Sequence, residues 1–115
     1  MDSAEFEAID VAVNQFYGQI DGYQNTLCDR LCECEDEGEI DRLFSLISNM
    51  DRVDSLARAL ELKVMFDGGV APMVLRLAET SSRCMANADA SGENVPWAEL
   101  ANLFGQTMAV ACARQ

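Results

Sequence analysis

The sequence predicts an all-α fold, a compact bundle of about five helices that begins with a long amphipathic helix. Apolar residues recur at helical spacing along most of the chain, no stretch keeps the alternation of a strand, and Gly and Pro mark the boundaries. The chain has 115 residues, of which 50% are hydrophobic, enough for one hydrophobic core. We therefore expect residues 1–115 to form a single helical domain.

The first helix is predicted from a stripe of apolar residues at steps of three and four: Phe6, Ile9, Val13, Phe16, Ile20, Tyr23, Leu27, Leu31 and Cys34. A helix of about 30 residues is about 45 Å long, more than the diameter of a compact domain of this size. We expect it to project or to bend, with Gly18 and Gly22 as weak points. The stripe packs on its own domain or pairs with a second helix, as in a homodimer; we favour self-packing.

Four further helices are predicted, over residues 40–47, 53–64, 72–85 and 96–112. Each is predicted from residues at helical spacing along one face, in chain order Ile40, Leu43, Phe44 and Ile47; Val53, Leu56, Ala57, Leu60 and Val64; Val74, Leu77, Ala78, Ser81 and Met85; and Trp97, Leu100, Ala101, Phe104, Met108 and Cys112. The second and third are separated by the capping residues Ser48, Asn49 and Asp51, and Asp-Gly-Gly at 67–69 ends the third. Proline is favoured in the first turn of a helix, where no backbone N–H is needed. Pro72 and Pro96 therefore mark the starts of the last two helices.

The charge is concentrated in the first third of the chain. The sequence has 20 acidic and 8 basic residues, a formal net charge of −12. Residues 1–41 contain twelve acidic residues and a single basic one, Arg30, whereas residues 42–115 are nearly neutral. Such a field repels nucleic acid and anionic lipid and attracts basic protein surfaces. The expected partner is a protein with a basic surface, with no direct nucleic acid binding and no membrane.

The most acidic segment, residues 28–41, is the predicted partner-binding site. Carboxylates held on a rigid helix can take the place of phosphates on a basic protein surface, because the Lys and Arg groups of that surface already accommodate such charge. Seven side chains are the candidates: Asp29, Glu33, Glu35, Asp36, Glu37, Glu39 and Asp41.

Three cysteines lie in the same segment, namely Cys28, Cys32 and Cys34. On a helix Cys28 and Cys32 share a face and Cys34 points away, and a tetrahedral zinc site needs a fourth ligand as well. An EF-hand alignment puts Phe44 where a bidentate Glu is needed. We expect no metal ion and no cofactor, and thiols that pack structurally near the apolar stripe.

No enzyme class is indicated. The chain has no histidine, which removes Ser-His and Cys-His nucleophile pairs and the usual general base near neutral pH. No nucleotide-binding or hydrolase motif occurs. Carboxylates on a solvated segment lack the burial that a general acid needs. We predict a non-enzymatic protein without catalytic residues.

In size, charge and helicity the chain resembles small acidic inhibitors encoded by phages, among them DNA mimics and anti-CRISPR proteins. The resemblance implies an inhibitor that docks on a basic, nucleic-acid-binding surface of a partner protein. No motif links the sequence to one such family, so no functional residue is transferred from it.

The alternative is a helical secretion chaperone or assembly adaptor that binds an amphipathic partner segment, since small acidic chaperones of bacterial secretion share this profile. Apolar contacts through Ile9, Phe16 and Ile20 would then carry the affinity. Either protein is predicted to be cytoplasmic. The longest apolar run, residues 108–113, is far shorter than a membrane span, no signal peptide is recognised, and five cysteines are an odd number for a disulfide framework.

Overall fold

Four α-helices make up most of residues 3–113, the part of the chain that this computed structural model describes. They are α1 (Ser3–Glu33), α2 (Glu37–Phe66), α3 (Ala71–Met85) and α4 (Trp97–Cys112), and a 3₁₀ turn, Gly68–Val70, lies between α2 and α3. No strand occurs within these residues. The prediction of a compact all-α bundle is confirmed. Within the same range, no helix combines the length and the apolar character needed to cross a bilayer.

The predicted count of five helices is wrong, because the second and third form one helix. α2 continues through residues 48–51, where capping side chains indicated a new start. Its buried positions keep one helical face throughout: Leu43, Met50, Val53, Ala57, Leu60 and Val64. Burial of a continuous apolar face stabilises a helix more than local capping preferences oppose it.

The first helix differs slightly from the prediction at its ends and continues without interruption past Gly18 and Gly22. α1 begins three residues before Phe6 and ends just before Cys34. Gly18 and Gly22 are exposed, and no atom lies within 4 Å of the position that a Cβ would occupy at either residue. A side chain at either position would therefore meet no neighbour. The molecule measures 50 × 25 × 19 Å, so its long axis accommodates a helix of 31 residues, about 46 Å long.

The apolar stripe of α1 is buried in the core of its own molecule. Its central members are at most 4% exposed: Ile9, Val13, Phe16, Ile20 and Leu27. The ring of Phe16 stacks on that of Phe104 in α4, with the ring centroids 5.7 Å apart. The stripe therefore packs within its own molecule, the arrangement that the sequence analysis favours.

Polar contacts join α1 and α2, which run antiparallel. The hydroxyl of Tyr17 donates to Oε2 of Glu61 at 2.9 Å, and the Arg58 guanidinium lies 3.9 Å from the centroid of the Tyr17 ring. Burial, together with the Glu61 carboxylate, raises the pKa of Tyr17 above its usual range, so the hydroxyl remains a donor. Further along, Nε2 of Gln24 donates to Oδ1 of Asp51 at 2.5 Å.

The last two helices bury most of the faces predicted for them. On α3 the buried residues include Val74, Leu77, Ala78, Ser81 and Met85, and on α4 Trp97, Leu100, Ala101 and Phe104. Cys112 is exposed, and Ala111 occupies the core position instead. α3 packs mainly against α1, and α4 mainly against α2. The two helices therefore make little contact with each other.

Candidate functional site at the acidic corner

The seven predicted docking residues lie around the turn that joins α1 to α2. Two belong to the end of α1, two to the connection 34–36, and three to the start of α2. Residues 28–42 together with the loop 86–96 form the region that we term the acidic corner. Six of the seven side chains are exposed and Glu39 is half-buried. The structure divides them into two groups with different roles.

Asp36 is structural, because it caps the start of α2. Its backbone is extended, with φ −84° and ψ 121°, and its carboxylate accepts a hydrogen bond from the backbone N–H of Glu39 at 2.8 Å. A cap of this kind satisfies one of the N–H groups that the first turn leaves without an intrahelical partner. Its carboxylate is therefore committed to the fold.

Glu39 is structural as well, as a member of what we term the Arg–Glu clamp: Arg30, Glu39, Arg42 and Glu93. Arg42 donates to Glu39 through Nε at 2.9 Å and through Nη2 at 2.5 Å, and Arg30 Nη2 lies 3.1 Å from the same carboxylate. Both arginines also pair with Glu93, Arg42 through Nη1 at 2.6 Å. The clamp is neutral as a whole, and it joins α1, α2 and the loop 86–96.

The clamp lowers the pKa of both of its carboxyl groups. The hydrogen bond from Arg42 is the main cause for Glu39 and for Glu93, and the charges of Arg30 and Arg42 act in the same direction. Both groups therefore remain ionised at pH values where an ordinary glutamate begins to take up a proton. The corner keeps its ion pairs across the physiological pH range.

The loop 86–96 holds Glu93 in place through its own tight turn. Gly92 has φ +68°, and a Cβ added there would lie 2.6 Å from Cγ of Tyr23. The carboxylate of Asp89 accepts from the Gly92 N–H at 2.9 Å, and the Gly92 carbonyl accepts from Trp97 Nε1 at 2.8 Å. Only glycine fits both this backbone conformation and this close approach.

The remaining five candidates form the outward carboxylates: Asp29, Glu33, Glu35, Glu37 and Asp41. All five are exposed, and none makes a side-chain hydrogen bond or an ion pair with another residue of the range 3–113. They extend from a turn that the cap and the clamp fix on both sides. The corner therefore presents negative charge that the fold itself does not use.

The expectation that the thiols of this segment pack structurally near the apolar stripe is wrong for two of them. Cys28 and Cys32 are exposed, and Cys34 is half-buried, with Sγ 3.7 Å from the carbonyl oxygen of Asp36. Leu27 is fully buried, and the residue after it is rotated by about 100° around the helix, which turns Cys28 towards solvent. In the described part of the chain, no group of three or more Cys, Asp and Glu side chains could hold a metal ion.

Sequence reasoning missed the contribution of Glu93. It lies in a polar loop, 63 residues from Arg30 and 51 from Arg42, and nothing local indicates its partners. The spacing of Glu39 and Arg42 at i and i+3 is the one signal that could have shown an internal role for part of the cluster.

Comparison with protein-family models, curated proteins and solved structures gives no match to this chain. The binding properties of the corner follow from its own residues. Exposed carboxylates accept charge-assisted hydrogen bonds from guanidinium and ammonium groups, and Arg can donate two parallel bonds to one carboxylate. The arrangement is suited to binding a surface that carries several such cations.

The residues through which the chaperone hypothesis expects a partner to bind are buried. Ile9, Phe16 and Ile20, the expected partner contacts, are at most 3% exposed. Truncating them would remove core packing rather than a contact with a partner. A partner helix would have to bind elsewhere on the molecule.

Proposed function

We propose that this chain is a non-enzymatic binding module whose acidic corner docks on a basic surface of a partner protein and blocks it. The supporting observation is the set of five outward carboxylates, which are exposed and unpaired within residues 3–113. A preorganised surface loses less conformational freedom on binding than a flexible acidic tail does. The cap and the clamp provide that preorganisation.

The proposed target surface is one that normally binds nucleic acid. Such a surface carries Lys and Arg groups that accommodate phosphates, and carboxylates can occupy the same places. The net charge of −12 favours encounter with this surface and disfavours nucleic acid itself. The chain would act as an inhibitor in the manner of phage-encoded DNA mimics and anti-CRISPR proteins. We place it in the cytoplasm, where unpaired cysteines stay reduced.

Two variants with the same net charge test the proposal. The corner variant carries Glu33→Gln, Glu35→Gln, Glu37→Gln and Asp41→Asn, and it leaves Asp36 and Glu39 in place because both hold the fold. The control variant carries Glu7→Gln, Asp10→Asn, Asp21→Asn and Glu79→Gln, four carboxylates outside the corner. Each variant loses four negative charges, so a difference between them depends on where the charge lies.

The measurement is capture of proteins from a lysate of the native host on the immobilised full chain, followed by titration of the identified partner. We expect the wild type and the control variant to bind it alike, and the corner variant to bind at least about tenfold more weakly. Affinity should fall steeply as salt rises, and duplex DNA should compete. Equal loss in both variants would mean that only total charge matters, and binding that survives the corner variant and high salt would disprove the proposal.

A further inference from the structure

An open groove runs between α3 and α4 on a face that the acidic corner does not use. α3 packs mainly on α1 and α4 mainly on α2, so the two helices leave a space of about 290 Å³ between them. Its lining has two apolar residues from each helix, and Arg76 and three uncharged polar residues complete it: Met73, Leu77, Leu103 and Val110, with Thr80, Gln106 and Thr107. Each wall therefore combines apolar and polar side chains, and the top is open.

The groove leaves apolar surface exposed. Val110 is 54% exposed and Leu103 is 36% exposed, although both belong to α4, whose opposite face is well buried. The two residues are seven apart on α4, and Met73 and Leu77 are four apart on α3, so each pair lies along one side of its helix. A helix laid in the groove would place apolar residues at the i, i+3, i+4 and i+7 positions between these walls.

The charge of the groove is opposite to that of the molecule. Arg76 is its one charged lining residue among those described, and no carboxylate lines it. Arg76 is exposed and forms no ion pair within residues 3–113, in a chain with 20 acidic and 8 basic residues. A cation beside the apolar residues of the groove is complementary to a partner segment that carries a carboxylate beside its apolar stripe.

We propose that this groove binds an amphipathic helix of a partner protein that carries a carboxylate next to its apolar face. A helix suits the site because helical walls offer no free backbone groups to pair with an extended strand. The groove does not depend on the function proposed for the acidic corner, since none of the outward carboxylates lines it.

A synthetic helical peptide is the probe for this site. It has about 18 residues, with Leu at helical spacing and Glu on both flanks of the Leu stripe, and a second version carries Lys in place of Glu. Binding is followed by chemical-shift changes in the isotope-labelled full chain. We expect the Glu peptide to shift the signals of Leu77, Leu103 and Val110, and the Lys peptide to shift those of the outward carboxylates instead.

Two charge-reversal variants supply the matched pair. Arg76→Glu should weaken binding of the Glu peptide about three- to tenfold. Arg52→Glu, an equal charge change at an exposed residue of α2 that does not line the groove, should leave affinity within about twofold. Val110→Glu should weaken binding at least about tenfold, because it puts a carboxylate in the apolar wall. All three residues are exposed, so the fold should tolerate the changes, as circular dichroism would verify.

Three results would overturn the proposal. The first is an absence of chemical-shift changes at the groove with the Glu peptide, and the second is an equal loss of affinity in Arg76→Glu and Arg52→Glu. The third is a concentration-dependent dimer in sedimentation that Val110→Glu dissociates, which would show a second copy in the groove. The corner variant keeps Arg76 and both walls, so it should bind the Glu peptide as well as the wild type does. Failure of the groove and failure of the corner are thus separate results.

Discussion

The acidic corner and the α3–α4 groove are built in opposite ways. At the corner, three chain segments are joined by polar contacts: a helix cap, the Arg–Glu clamp and a turn closed by Gly92. At the groove, two helices are placed by apolar packing on other helices and scarcely contact each other. Ion pairs and hydrogen bonds at the surface therefore fix the shape of the corner. Apolar packing of α3 and α4 on the other helices fixes the shape of the groove.

At each surface, some residues stabilise the fold and others make no contact that the fold needs. Of seven acidic side chains predicted at the corner, the fold uses Asp36 and Glu39 and leaves the rest without partners among residues 3–113. Along α4 the fold buries Leu100 and Phe104 and leaves Leu103 and Val110 partly or largely exposed. In both places the residues that the fold does not use are those that we assign to binding. Variants that affect one surface and spare the other test this separation.

The largest expected effect is at the turn of the corner. Gly92→Ala combines a positive φ with a Cβ 2.6 Å from the Tyr23 ring, so either the loop or the ring must move. We expect a loss of about 2 kcal/mol in the free energy of unfolding, measured by urea denaturation at pH 7.

The matched control for this change lies in the same corner. Gly38→Ala places a Cβ 3.4 Å from a carboxylate oxygen of Asp36, an ordinary contact with the end of a side chain, in the first turn of α2. It should change stability by less than about 0.5 kcal/mol, or slightly increase it. Equal stability of the Gly92→Ala and Gly38→Ala proteins would show that the loop 86–96 is not held as tightly as the corner requires.

The clamp should make stability depend on pH. The pKa of Glu93 is lowered from its ordinary value of 4.5 by Arg42 and Arg30, so the unfolded chain takes up a proton at a higher pH than the folded chain does. The contribution of Glu93 is therefore complete above the unfolded pKa and is lost as the pH falls through the folded one. Glu93→Gln should cost about 1 kcal/mol at pH 7, and the difference from wild type should shrink as the pH falls below 4.5.

Glu79→Gln is the control for the clamp, because Glu79 is exposed and forms no ion pair within residues 3–113. Its stability should follow that of the wild type at every pH, as measured by urea titrations at pH 7, 5 and about 3. If the cost of Glu93→Gln is as large at pH 3 as at pH 7, packing of the side chain and not its charge is responsible. The corner would then resemble the groove in its physical basis.

The helices were predictable from the sequence because each has a buried face that repeats every three or four residues. The stripe of α1 and the faces of α3 and α4 were found in this way, and the burial of Ile20, Leu77 and Phe104 agrees with it. The continuity of α2 was missed, because capping side chains near Asp51 resemble a helix start when the buried face is not followed across them. Phe44 was placed on that face and is 62% exposed, since Leu43 occupies the core position.

The candidate site was predictable as a region and not as a set of roles. Counting charges along the sequence identifies residues 28–41, but it does not distinguish the structural role of Glu39 from the exposed position of Glu37. Their difference depends on Arg30, Arg42 and Glu93, which the fold brings together from three segments. Pairing over such sequence separations has no local signal. The groove was missed for the same reason, because its existence depends on how two helices diverge.

The smallest expected effect is at the groove wall. Val110 is 54% exposed and Val74, on the opposite helix, is 4% exposed, so one substitution made at both positions compares surface with core. Val74→Thr should cost about 1–2 kcal/mol, because it buries a hydroxyl in an apolar site. Val110→Thr should change stability by less than about 0.5 kcal/mol, with no dependence on pH.

A small effect at Val110 would mean that the fold does not need this apolar surface, as a binding groove requires. Urea unfolding of the two Val→Thr proteins at pH 7 and about pH 4 provides the measurement. If Val110→Thr costs as much as Val74→Thr, the groove is packed shut in solution. In that case its walls belong to the core, and the contrast with the acidic corner would be lost along with the reason to look for a helix bound there.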